Sequence, residues 1–440
     1  MNLRSRAGRA VIPALVSLVL GASSVAAGTV PAASASTAQG REPQYDLLIS
    51  RGHVIDVKNG IDAVRDVAVK DGKIAKVDRH IDAREAERTV DAAGRYVTPG
   101  LIDMHTHLFT GPEDAYANGF LGVAPDGFTF RSGVTTAVDT GSSGASNFAE
   151  FKKNIIDRSK TRVLAFLNIV GKGMGGGDVE QDLNDMRAGP AAEVAQQNPD
   201  VVVGIKTAHY EGPEWDPVER SVEAGEKAGI PVMVDFGSNR PERPLAELLT
   251  EKLRPGDIYT HAYSGLRGEL GEDGKLNPGM WAGRKRGVVF DVGHGGGSFA
   301  WEVAVPGMKE GFLPDTISTD LHIDSMNAGM KDMANVMSKL LTLGMPLKDV
   351  MAASTWRPAQ VLGHEELGHL SVGAPADIAV FSLEKGRFGF VDSFGFRIDG
   401  KQKLLCELTI RGGEVVWDLN GLSAQVWKPG SGQGDSPDQH

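Results

Sequence analysis

Apolar and polar residues alternate with a period of two near both ends of the chain, and with longer, mixed spacing between. Residues 45–49, 54–56, 66–70 and 73–78 read as short strands, and Asp71-Gly72 between the last two is a hairpin signal. The same alternation returns at 377–382, 387–392, 404–411 and 415–417, where Arg411-Gly412-Gly413 marks a second hairpin. The two blocks, residues 45–97 and 368–419, are expected to join into one small β-sandwich.

Between them, residues 98–367 alternate short apolar runs with helix-length stretches. Eight strand candidates fall at 102–107, 135–140, 164–170, 201–206, 231–236, 258–261, 288–292 and 316–320. Helices are expected at 217–228 and 242–253, and after the last strand at 330–343 and 347–353. That count and order predict an α/β fold, a (β/α)8 barrel of the TIM type. An open doubly wound sheet would carry a phosphate-binding glycine fingerprint after its first strand, and none follows here. No internal repeat of fixed period is present.

The chain ends read differently. Arg4, Arg6 and Arg9 precede an apolar stretch over 10–27, broken by Pro13 and Gly21, and Ala33-Ser34-Ala35 fits a signal-peptidase site. Residues 1–35 are therefore read as a signal peptide and 36–44 as a linker, giving a secreted or periplasmic protein. The apolar run is too short and too interrupted for a stable membrane anchor. Arg4 and Arg6 are not adjacent, so a twin-arginine signal is not supported. Residues 420–440 are rich in Gly, Ser, Pro, Asp and Gln towards the end, and a disordered tail is expected.

The net charge of −11 argues against nucleic acid as a partner. Homo-oligomerisation stays open. Cys406 is the sole cysteine, so no intrachain disulfide can form. It alternates in step with Leu404, Leu408 and Ile410, which makes it a small buried hydrophobe in a strand.

Candidate chemistry collects at the C-terminal ends of the barrel strands. The first strand ends Asp103-Met104-His105-Thr106-His107, and its alternation puts His105 and His107 on one face, where they can ligate one metal. The fourth closes an apolar run with Lys206, an odd place for a lysine. The fifth, sixth and eighth end with Asp235, His261 and Asp320. Potential ligands at the same end of five strands point to a metal at the barrel mouth. The seventh leads into His294-Gly295-Gly296-Gly297-Ser298, whose glycines let backbone N–H groups approach an oxyanion. His209, Tyr210 and His322 are expected to line the same mouth.

Pro99-Gly100-Leu101-Ile102-Asp103-Met104-His105-Thr106-His107 resembles the signature of the amidohydrolase superfamily. Thr355-Trp356-Arg357-Pro358-Ala359 resembles its late helix, and Gly373-Ala374-Pro375-Ala376-Asp377-Ile378 its return to the β-sandwich. Gly204-Ile205-Lys206, the segment 290–299 and the segment 317–322 look most like the deacetylase, dihydroorotase-like branch.

The resemblance implies two divalent metals, usually zinc. His105, His107 and Asp320 would hold the buried one, a carboxylated Lys206 would bridge both, and His261 with residue 235 would hold the outer one. The family usually has His at that last position, whereas this chain has Asp235, a competent but anionic ligand. His209 could compensate. The implied activity is hydrolysis of an amide or ester in small acylated, carboxylate-bearing compounds by metal-activated water, with Asp320 as proton carrier. His294, Gly295, Gly296, Ser298, His209, Tyr210 and His322 would contact substrate. Opening of a cyclic amide, as in a dihydroorotase or hydantoinase, is the competing enzymatic reading. A secreted, non-catalytic binding protein is the other.

Overall fold

In the computed structural model, residues 43–110, 121–237 and 239–429 are described. The proposed signal peptide, most of the linker and residues 430–440 lie outside them. Two sheets organise the chain. The first is parallel and built from β6 (Leu101–Thr106), β7 (Val134–Gly144), β8 (Arg162–Asn168), β9 (Val202–Thr207), β10 (Val232–Val234), β11 (Ile258–Tyr259) and β12 (Val289–Phe290). These strands pair in chain order, β6 with β7 through to β12.

The eighth expected strand is not a regular ladder member. Its segment instead makes single parallel bridges to both edges of the sheet, Asp291 with Thr316 and Thr106 with Leu321. Backbone bonds such as Val292 N–H to the Thr316 carbonyl at 3.1 Å and His107 N–H to the Leu321 carbonyl at 2.9 Å are joined here by bonds to buried carboxylates. Asp103 accepts from the Thr319 N–H at 3.0 Å and from its hydroxyl at 2.5 Å. Asp291 accepts from the hydroxyls of Ser318 and Thr316, both at 2.7 Å. Asp320 then turns into the left-handed region at φ 53°, which no ladder residue can share. The barrel is thus closed by a polar seam, and that seam delivers Asp320 to the mouth.

Outside the strands, the helix Asp216–Ala228 shows how the sequence sets its limits. Pro217 stands at the start, where its missing N–H costs nothing, and Gly229 ends it at φ 71°. Val218, Ser221, Ala224 and Gly225 form its buried face. The expected helix 242–253 is shorter, Leu245–Glu247, and opens into a π-type turn at Leu248–Lys252.

The second sheet joins the two expected β-blocks, one from each side of the barrel segment, in one hydrogen-bonded sheet. It runs β15 (Glu414–Asp418), β14 (Arg397–Arg411), β13 (Ile378–Val391), β5 (Tyr96–Pro99), β1 (Tyr45–Asp56), β2 (Ile61–Lys70), β3 (Lys73–Asp78), with β4 (Ala86–Asp91) also pairing to β1. The joining of the two blocks rests on β5, which lies parallel to β1 and antiparallel to β13. Strands expected in two pieces, at 45–49 with 54–56 and at 377–382 with 387–392, each form one long strand with a bulge. Asp71 and Gly72, at φ 49° and 71°, make the expected hairpin turn. Leu47, Ile49, Val54, Val67, Val97, Ile378, Val380, Leu408 and Ile410 share a core of their own. Cys406 is buried, as its alternation required. Among the described residues no helix is long and apolar enough to cross a membrane.

Candidate metal centre

Each candidate side chain stands where a strand stops. β6 carries His105 near its end and His107 just past it, both almost fully buried. Asp320 Oδ1 sits 2.9 Å from His107 Nε2 and 3.5 Å from His105 Nε2. His105, His261 and Asp320 bring ligand atoms within 4.8 Å of one another. A zinc ion bound at about 2.0–2.1 Å in a tetrahedron spaces its ligand atoms about 3.3 Å apart, so these separations fit one.

The imidazoles are aimed by what holds their other nitrogen. His105 Nδ1 meets Thr260 Oγ1 at 2.8 Å, and Thr260 donates to Asp291 at 2.8 Å. His107 Nδ1 meets Ser142 Oγ at 3.1 Å, and His261 Nδ1 meets the Gly293 carbonyl at 2.5 Å. In all three the Nε2 is left facing inward, the orientation that outer partners impose on metal-binding histidines. His209, His261 and Asp320 also adopt φ of 57°, 59° and 53°. Such backbone costs about 1–3 kcal/mol per residue and gathers where function over-determines it.

Lys206 ends β9 fully buried, with Nζ 3.2 Å from His105 Nε2 and no ion pair to any described carboxylate. Burial, ahead of all other influences, lowers its pKa below the usual 10.5. Gly141 makes room for it: a Cβ there would lie 2.8 Å from Lys206 Cγ. Asp235 is buried after β10 and is already engaged. Arg267 Nη2 bonds its Oδ1 at 2.5 Å, while His209 and His261 each bring Nε2 to 3.3 Å from its Oδ2. His209 in turn holds Glu180 at 2.8 Å through Nδ1. Although burial opposes it, this pair of carboxylates raises the His209 pKa. A cavity of about 410 Å³, lined by Gly177, Glu180, Gln181, His209 and Glu211, opens on this side.

The substrate-facing expectations divide. His322 lies 3.9 Å from Asp320 and stacks edge-on with His107 at 6.0 Å, so it faces the centre. Gly295 abuts Asp320, where an added Cβ would lie 2.5 Å from Oδ2, and Gly296 lies beside His322. Ser298 is half-buried on the same loop. The expectation for His294 needs correcting. Its ring is fully buried, stacked on Phe299, with Nδ1 at 2.9 Å from the Gly295 carbonyl and Nε2 at 2.6 Å from Lys339 Nζ. It braces the glycine loop from behind, because Gly293 at φ 44° and Gly295 at 58° turn the ring away. The Tyr210 hydroxyl is likewise committed, donating to Glu214 at 2.5 Å.

Several residues of this site were missed in the sequence. Asp103 and Asp291 carried a signal, a carboxylate inside an apolar strand, of the kind that marked Lys206. Arg267, Glu180 and Ser142 lie in loops and carried none.

The glycine loop supports the centre sterically, and this is testable. In Gly293→Ala the new Cβ would lie 2.3 Å from Thr260 Oγ1 and 2.8 Å from His261 Nδ1, at a positive φ. The variant is expected to lose about 1–3 kcal/mol of stability together with bound metal. Thermal melting and metal analysis check this, and an unchanged melting point with full metal would remove the loop's supporting role.

The geometry can be set beside known proteins. The profile of the amidohydrolase family matches residues 96–247 and 301–409. A deacetylase of Brucella anthropi is 35% identical over 76% of this chain and 83% of its own length. A deacetylase of Enterococcus faecalis is 32% identical over 84% of this chain and 99% of its own. A solved structure described as an adenine deaminase superposes with a TM-score of 0.77 at 32% identity, covering 85% of this chain and all of that one.

Proposed function

The chain belongs to the amidohydrolase family, and from that premise we propose that it is a zinc-dependent deacylase of small molecules. It would hydrolyse the amide or ester bond of small acylated compounds, carboxylate-bearing ones above all. One observation carries the reading: His105, His261 and Asp320 bring their ligand atoms together, His107 meets the same Asp320 oxygen at 2.9 Å, and each imidazole is fixed through its other nitrogen. The relatives called deacetylases favour a small acyl group. In this reading residues 1–35 export the enzyme, so it meets its substrate outside the cytoplasm.

His105, His107 and Asp320 would hold the cation, with His261 within reach, and imidazole with carboxylate donors suits zinc. When bound, zinc supplies Lewis acidity, acidifying water and polarising the acyl carbonyl. Lys206 would join by taking up carbon dioxide. Its neutral amine forms the new N–C bond and releases one proton, leaving a carbamate anion. The burial that lowers its pKa favours that neutral amine. Asp320 would accept a proton from water as its oxygen bonds to the carbonyl carbon. It would return that proton to the leaving nitrogen or oxygen as the old bond breaks. His322 and the backbone of Gly295 and Gly296 are suited to a substrate carboxylate.

The test is a panel assay of the zinc-reconstituted protein with N-acetyl amino acids, O-acetyl hydroxy acids, hydantoins and dihydroorotate. Acetate release from the acyl compounds is expected. Turnover confined to the cyclic amides would replace the proposal with ring opening. A protein that binds no metal and turns over nothing would favour the binding-protein reading.

A further inference from the structure

At the place where the family pattern puts an outer metal, this chain has gathered protein-borne charge. Asp235 presents one oxygen to Arg267 and the other to His209 and His261. Arg267 is 5% exposed and firmly held. Its backbone N–H donates to Glu269 at 2.9 Å, and Glu269 is itself bonded by Ser264 at 2.5 Å and Tyr259 at 3.1 Å. Glu180 fixes His209 from the far side at 2.8 Å. A guanidinium cannot give up its proton in a protein, so this positive charge is permanent. A dication placed on the other side of the Asp235 carboxylate would be repelled by it across a low-dielectric interior. His261, which the family pattern pairs with residue 235 at the outer metal, here brings its ligand atom within 4.8 Å of those of His105 and Asp320. The 3.3 Å spacings from Asp235 Oδ2 to His209 and His261 would by themselves admit an ion, so what sets this outer donor set against a second metal is the fixed Arg267 charge on the same carboxylate.

We propose that the centre holds one metal, and that Arg267, clamped on Asp235, stands as the fixed positive charge in place of the outer one. This rests on the metallohydrolase reading above. Arg267 also keeps Nε and Nη1 buried with no hydrogen-bond partner among the described residues. Two such donors suit a substrate oxygen, either the acyl carbonyl or an adjacent carboxylate.

Metal content of the purified protein, saturated with zinc and bicarbonate and then freed of excess, decides the matter. One zinc per chain is expected, and a manganese(II)-loaded sample should give the magnetic resonance spectrum of isolated ions. Two zinc per chain, with manganese ions coupled in pairs, would overturn the inference while leaving the hydrolase reading intact. No zinc and no hydrolysis would overturn both. The double variant Asp235→His with Arg267→Met should rise from one zinc to two. If it folds, as judged by circular dichroism, and still binds one, then Arg267 is not what excludes the second metal.

Discussion

An Asp320→Asn variant is expected to lose turnover by about 10²- to 10⁴-fold while keeping its metal. Asparagine has nearly the same shape and retains one oxygen for a cation, but it cannot take up a proton near neutral pH. The backbone favours the exchange, because Asp320 sits at φ 53° and Asn is among the few residues that tolerate that region. His107 at 2.9 Å and His105 at 3.5 Å can still hold the side chain in place. The loss should therefore fall on kcat, with metal content and melting temperature close to those of the parent protein. Steady-state kinetics beside elemental analysis checks this. Activity near the parent level would remove Asp320 as proton carrier, and a matching loss of metal would reduce it to a ligand.

Lys206→Met separates the cost of the buried amine from its use. Methionine nearly matches its length and volume without a charge or an N–H to satisfy. If Lys206 supplies a carbamate ligand, zinc affinity should fall at least about 100-fold, beyond the loss seen for outer-shell changes, and hydrolysis should disappear. The metal-free protein should respond in the opposite direction. There the burial that lowers the Lys206 pKa means that the unfolded chain, with its ordinary value of 10.5, holds the proton more tightly. That difference costs the folded state at neutral pH and fades as pH rises towards 10.5. The variant should thus be more stable without metal by about 1–3 kcal/mol at pH 7, with the gain shrinking at alkaline pH. Denaturation of both metal-free proteins across pH measures it. A gain independent of pH would mean packing, and not the amine, was relieved.

The placement of several candidate residues was legible because the strand period is a local pattern. The alternation through 102–107 put His105 and His107 on one face, and the structure has both beside Asp320. Lys206 stood out as a lysine closing an apolar run, and it is fully buried against His105. The His294 expectation failed for a reason equally local: glycines on both sides allow the chain to turn either way, so composition could not say where the ring would point. The eighth strand was placed correctly along the chain and it joins both edges of the sheet, but through single bridges and not a regular ladder. Its hydroxyls, which pass for ordinary strand residues, bond the buried carboxylates Asp103 and Asp291.

The sequence by itself determined the family, the order of strands and helices, and which residue types stand at each strand end. All of these depend on residues within a few positions of each other, where the strand period of two and the helix period of 3.6 govern which side chains share a face. Only the tertiary structure decided what meets Asp235. Arg267 is 32 residues further along the chain, and Glu180 reaches His209 across 29. The field at a carboxylate depends on charges within a few ångströms in space, and loop residues carry no periodicity to announce where they will arrive. The closure of the barrel through Thr316 and Leu321 was settled the same way, because a bridge forms only when the partners' backbones have been brought together.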